Sequence, residues 1–150
     1  MRKYFVLVLV FFFAFASLAA AAERGTADEA QVMVKKAVAF AKKNGKEAAL
    51  KEINNPKGEF VKKDLYIYVL DLKGTCIAHE ANPRLIGKNF MQIKDSHGNP
   101  FIKEIIDTSS KKGFGWTDYY WSHPVTKKNE AKSSYFEKVM DMVFICGYYK

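Results

Sequence analysis

Cysteine, histidine and proline are scarce in this 150-residue chain, and the first two shortages each close off a kind of chemistry. Two cysteines, Cys76 and Cys146, do not make the disulfide framework that staples many small exported domains. Neither lies in a C-x-x-C or C-x-x-C-H motif, so a redox dithiol and an attached haem have no support. Both occupy apolar, strand-like contexts, which leaves a disulfide and two buried free thiols equally open. His79, His97 and His123 stand far apart, with no paired helical spacing, whereas a zinc site needs three or four converging ligands. No metal and no other cofactor is expected. A nucleophile elbow, a P-loop and a dinucleotide fingerprint are also missing. Asp95-Ser96-His97 has triad letters, but adjacent residues rarely aim at one centre, so it reads as a polar loop. A Cys–His pair would lack any nucleophile context. The chain is therefore not expected to be an enzyme.

What is present begins with a charged and apolar leader. Arg2 and Lys3 precede an almost unbroken apolar run from Tyr4 to Leu18, and Ala19 to Ala22 close it with small residues. That order is a secretory signal, so residues 1–22 are expected to be cleaved and residues 23–150 to form one domain, periplasmic or secreted. Left uncleaved, the same run would be a membrane anchor. No later stretch is apolar enough to span. The net charge of +8 comes from lysines in scattered pairs such as Lys35-Lys36 and Lys127-Lys128. Such pairs suit solvated surface, and with export they argue against nucleic acid as a partner.

The pattern along the chain predicts an α+β domain. Thr26-Ala27-Asp28-Glu29 is a capping box, and Ala30, Val34, Ala37, Val38 and Ala41 then share one helical face until Asn44-Gly45. A short helix from Lys46 to Glu52 follows. Leu65 to Leu70 reads as a central strand, Asp71 to Gly74 as a turn, and Thr75 to His79 as the returning strand. Asn99-Pro100 is expected to open a helix as N-cap and first helical residue, with Phe101, Ile102, Ile105 and Ile106 on its apolar face. Trp116 to Trp121, Ala131 to Val139 and Met142 to Tyr149 complete an antiparallel set.

Aromatic side chains are the most informative feature. Tyr66 and Tyr68 share one strand face, and Tyr119, Trp121 and His123 share another; Trp116, Asp118 and Tyr120 point the opposite way. Rings with a polar tip suit the walls of a pocket for a small polar ligand, and Lys132 nearby suits a ligand carboxylate. The plainer reading makes the aromatics core and Lys132 surface.

The ordered set resembles a single Cache domain. Gly58-Glu59-Phe60, Asp64 to Asp71, Gly74, Ala78-His79, Asn82-Pro83 and Leu85 to Asn89 look like its first half. Asp95, Gly98, Gly113 to Trp116, Tyr119, Trp121, Pro124, Lys132 to Tyr135 and Cys146 to Tyr149 look like its second. The resemblance implies a PAS-like five-stranded antiparallel sheet with a long N-terminal helix and further short helices packed on it. It implies extracytoplasmic sensing of a small metabolite, most readily a short organic acid, for chemotaxis or other signal transduction. It points to Tyr66, Tyr68, His79, Trp116, Tyr119, Trp121, Lys132 and Tyr135 as ligand-binding positions. Lys132 with a tyrosine hydroxyl would hold the carboxylate, rings would wall the apolar tail, and His79 would donate from the pocket edge. Strict alternation cannot put Lys132 and Tyr135 on one face, so the strand must bulge or one of them must face away. Nothing follows Lys150 in this sequence, so the expected partners are the small molecule and a separate membrane receptor or kinase, with room for a weak homodimer. The alternative is a non-catalytic interaction module with a degenerate pocket.

Overall fold

The computed structural model describes residues 23–150, so the expected signal at 1–22 lies outside the described residues. Helix α1 (Ala27–Asn44) starts at the capping box: Thr26 accepts from the Glu29 N–H, and the Glu29 side chain accepts from the Thr26 N–H. Its alanine and valine stripe is buried as the spacing requires, with Met33 added. Gly45, at φ +85°, ends α1 and lets α2 (Lys46–Ile53) start at once.

Strands β1 (Val61–Lys62), β2 (Leu65–Asp71), β3 (Cys76–His79), β4 (Phe114–Ser122), β5 (Asn129–Val139) and β6 (Met142–Tyr149) form one antiparallel sheet. Its order is β1-β2-β6-β5-β4, with β3 also on β2. The five longer strands are those read from the sequence. The sixth, β1, has two residues, too short for any period to show. The β2–β3 turn is closed by Asp71, whose carboxylate accepts from the Lys73 and Thr75 N–H groups, and by Gly74 at φ +80°.

The sheet separates two cores. Helix α1 covers Ile67, Val69, Tyr135, Val139, Phe144 and Cys146 on one face. Helix α3 (Phe101–Lys112) covers Tyr66, Tyr68, Leu70, Cys76, Tyr119, Phe136 and Ile145 on the other. Cys76 and Cys146 therefore sit on opposite faces, and both are buried free thiols. Burial pushes the Cys76 thiol up to about 11 and the Cys146 thiol up to about 12, so neither is a thiolate at neutral pH.

One expected boundary shifts. Pro100, not Asn99, is the N-cap of α3, and the helix begins at Phe101. The Asn99 side chain is taken by Asp95, whose carboxylate accepts from Asn99 Nδ2 and from the backbone N–H groups of His97, Asn99 and Tyr120. Those four bonds hold the Asp95 carboxyl at about 2, against the cost of its burial, and pin the loop before α3 to the outer edge of β4. No helix among the described residues is long and apolar enough to cross a membrane.

The capping box yields a direct test. Thr26→Ala removes the acceptor for the Glu29 N–H and should lower unfolding stability by about 1 kcal/mol in urea titrations. No change would mean that α1 is held by packing alone.

Candidate functional site

Period-2 alternation on β2 and β4 sends Tyr66, Tyr68, Tyr119 and Trp121 to the α3 face, where they meet His79 from the end of β3. These five side chains enclose a cavity of about 20 Å³, room for about one water. Leu85, Phe90 and Ile93 from the β3–α3 connection close it with Phe101 and Ile102 of α3. A wider basin of about 260 Å³ shares Tyr66, His79, Leu85 and Trp121, and continues past Asn82, His123 and Pro124. Leu85 and Trp121 thus separate a small inner chamber from its mouth.

Most of the wall rings are braced against one another. Phe101 stacks on Tyr119 with centroids 4.0 Å apart. His79 stacks on Tyr66 at 5.2 Å and on Tyr68 at 5.5 Å. The Tyr119 hydroxyl shares a hydrogen bond with buried Ser134 at 2.8 Å. The mouth is braced separately: His123 Nδ1 accepts from the Val125 and Thr126 N–H groups, and its Nε2 faces Asp64 at 3.4 Å. Asp64 in turn accepts from the Gly25 N–H just before α1.

The chamber's polarity follows from the partners behind its walls. His79 Nδ1 accepts from the Asn82 N–H at 3.0 Å, so the ring proton of neutral His79 sits on Nε2 as a donor. Burial first, and the Lys132 charge second, lower the His79 pKa to about 4, so the ring is neutral at physiological pH. Burial raises the hydroxyl pKa of Tyr66, Tyr68 and Tyr119, so all three keep their protons. Among the described residues no acidic side chain lines the chamber.

Lys132 stands directly behind this wall. It is 1% exposed, and its Nζ donates to Tyr66 Oη at 2.9 Å and approaches Tyr149 Oη at 3.5 Å. The same Nζ lies over the rings of Tyr66 and Tyr149, 4.3 and 4.6 Å from their centroids. Among the described residues no carboxylate pairs with it. Its path is opened by Gly147 on β6: a Cβ there would collide with Lys132 Cε and Ser134 Oγ.

Of the eight positions read from the sequence, five line the chamber: Tyr66, Tyr68, His79, Tyr119 and Trp121. Lys132 touches Tyr66 from behind. Trp116 and Tyr135 lie on the other face of the sheet and do not line this chamber. The β4–β5 register runs without a shift from Phe114↔Glu137 to Ser122↔Asn129, so no bulge turns Tyr135 toward Lys132. Tyr135 is buried in the α1 core, and half-exposed Trp116 packs on Tyr135 and Tyr148 there. The apolar wall of Leu85, Phe90 and Ile93 was not expected, because an irregular connection has no period to read. Gly147 carried a readable signal: an isolated glycine inside an apolar strand marks a close approach.

Comparison with known proteins gives this geometry its context. The model of the Single Cache domain 2 family matches residues 17–149, and the chain belongs to that family. Over 84 residues it is 29% identical to the methyl-accepting chemotaxis protein McpP of Pseudomonas putida, covering 56% of this chain and 15% of that protein. Over 73 residues it is 34% identical to the sensor histidine kinase MctS of Rhizobium johnstonii, covering 49% of this chain and 16% of that one. The chain thus aligns with a small fraction of each relative's length. Among solved structures, a methyl-accepting chemotaxis protein of Vibrio parahaemolyticus superposes with TM-score 0.69 at 26% identity, over 81% of this chain and 86% of that one. A Cache chemosensory domain solved for its carboxylic acid recognition superposes with TM-score 0.63 at 25% identity, over 81% and 86%.

The His79 environment predicts a pH response. An unfolded histidine titrates near 6.5, and folded His79 near 4, so acid protonates the unfolded chain first and stability falls between those values. The contribution is about 3 kcal/mol at most. Melting curves from pH 7 to pH 4 should show a smaller acid loss in His79→Asn, which keeps an acceptor for the Asn82 N–H but cannot ionise. Equal losses in both proteins would place His79 in a wetter setting than described.

Proposed function

We propose that this single Cache domain binds a short organic acid in the chamber beneath α3, as the sensing step of a signalling pathway outside the cytoplasm. The observation that carries the reading is Lys132, an almost fully buried ammonium with no carboxylate partner among the described residues. Burying a charge is costly unless it is paired, and phenol oxygens and ring faces offset only part of that cost. A ligand carboxylate would supply the missing charge. Behind it, Leu85, Phe90, Ile93, Phe101 and Ile102 offer room only for an apolar tail. A second carboxylate would meet carbon, and an ammonium would find no acidic side chain among the described residues of the lining. The carboxylic acid recognition of the Cache domain at 25% identity supports the same class.

The chamber holds about one water as it stands, so binding requires Leu85 and Trp121 to move apart and join it to the basin. Export by a cleaved leader at residues 1–22, and report to a separate receptor or kinase, complete the proposal. Relatives among chemoreceptors and histidine kinases support that role over catalysis. A weak homodimer remains part of the proposal. The small chamber also favours a second reading, a non-catalytic interaction module whose pocket has closed.

Thermal-shift measurements separate the two. A ligand of the native state at a hundredfold excess over its Kd adds about 2.7 kcal/mol of stability. Acetate, propionate or lactate should raise the melting midpoint by several degrees (about 4 °C or more at such excess), while ethylamine and free amino acids should not. Trp116→Ala and Tyr135→Phe should keep the response, and Tyr66→Phe should weaken it. A flat panel from protein that melts cooperatively would favour the interaction module.

A further inference from the structure

Among the described residues β4 pairs with β5 alone and forms an outer edge of the sheet. The phase of its ladder is fixed at both ends. The Gly113 carbonyl accepts from the Lys138 N–H, and the His123 N–H donates to the Lys128 carbonyl. Odd-numbered residues of β4 therefore bond to β5, and even-numbered ones turn their N–H and C=O groups outward. At Tyr120 the outward N–H is taken by the Asp95 carboxylate. At Phe114, Trp116 and Asp118 the outward backbone groups have no partner among the described residues.

This open stretch carries none of the devices that blunt a sheet edge. From Phe114 to Asp118 there is no proline, no lysine and no bulge. Its even side chains lie on the α1 face, but α1 packs over β5 and β6. Phe114 is left 58% exposed and Trp116 39% exposed.

We propose that this edge is where two copies of the chain meet, β4 against β4 and antiparallel about a two-fold axis, so that one sheet runs through both. The inference rests on the homodimer within the reading above and gives it a surface; the chamber takes no part in it. A two-fold contact must complement itself, and one register does so. With the axis at Gly115, Trp116 of each copy lies opposite Phe114 of the other and exchanges backbone hydrogen bonds with it. Gly115 adds no side chain where the two backbones come closest. Asp118 is carried toward exposed Lys112 of the other copy. Asp118 already holds its own Lys150 at 2.7 Å, yet its side chain stays 66% exposed. Moving the axis to Trp116 sets Phe114 against Asp118, apolar against acid. Moving it to Thr117 sets Phe114 against Tyr120, whose N–H Asp95 has claimed. The contact is one short strand pair, below the roughly 1,000 Å² of a stable interface, so the dimer is weak and depends on concentration.

The test is sedimentation equilibrium of the protein in a concentration series. Wild type should pass from monomer to dimer as concentration rises. Phe114→Lys should raise the dimer Kd about tenfold or more, because it sets a charge against each facing tryptophan. Trp116→Pro should do the same, because it removes an outward N–H and no bond to β5. Asp118→Lys should weaken the dimer about threefold or more, and adding Lys112→Asp should restore part of that loss. The acid response of Phe114→Lys should match wild type. A wild-type protein that stays monomeric throughout would overturn the inference. So would a dimer that survives Phe114→Lys in protein that melts cooperatively, or a charge swap that restores nothing; these decide the matter even if Trp116→Pro does not fold. A flat acid panel beside an intact dimer would remove the organic-acid reading alone.

Discussion

A lysine ammonium buried behind a phenol ring is the constraint on which this face of the sheet depends. An unpaired charge in an apolar interior is expensive, and the surrounding residues are arranged to contain it. Tyr66 and Tyr149 offer two oxygens and two ring faces, and Gly147 leaves the lane through which the side chain passes. Ser134 holds Tyr119, Phe101 braces Tyr119 from α3, and the loop before α3 is pinned through Asp95. What looks like an aromatic core is thus a shell around one positive charge, with a small chamber on its far side. Packing and polarity serve the same end.

The division of the sheet into two faces explains which parts of the site were legible. Period-2 alternation alone grouped Tyr66 with Tyr68 and Tyr119 with Trp121, and turned Trp116 the other way. It does not say which face a helix will seal and which will keep a cavity. Trp116 and Tyr135 entered the candidate set through resemblance, and the unbroken β4–β5 register removes them from the chamber. The elements themselves were readable because their signals are local: a capping box, glycines at positive φ, and apolar stripes of the right period. The chamber's apolar wall was not, because Leu85 ends a single 3-10 turn (Pro83–Leu85) and Phe90 and Ile93 lie in irregular chain, whose course is set by bonds from distant residues such as the Tyr120 N–H to Asp95 and the Phe90 N–H to the Gly74 carbonyl. Asn99 shows the same competition on a smaller scale. Its type suits an N-cap, and a nearby buried carboxylate claimed its amide instead.

Family membership and site chemistry meet at one point. The relatives are chemoreceptors and sensor kinases, of which this chain aligns with 15% and 16%. A sensor needs a site that changes on occupancy. Here a small chamber shares Tyr66, His79, Leu85 and Trp121 with a wider basin outside it, so filling the chamber would move side chains that also shape its mouth. The mouth is tied through His123 and Asp64 to the backbone leading into α1, so the wall and the N-terminal helix share a continuous set of contacts.

The central claim is that the chamber beneath α3 takes a short organic acid whose carboxylate answers the buried charge of Lys132. A crystal structure of the protein with acetate, or with the best-binding acid of the panel, tests it most directly. The account predicts the acid in the chamber lined by Tyr66, His79 and Tyr119, its carboxylate on the side that Lys132 backs and its apolar tail toward Leu85, Phe90 and Ile93. An acid bound on the α1 face beside Trp116 and Tyr135, or a chamber left empty at saturating acid, would contradict it.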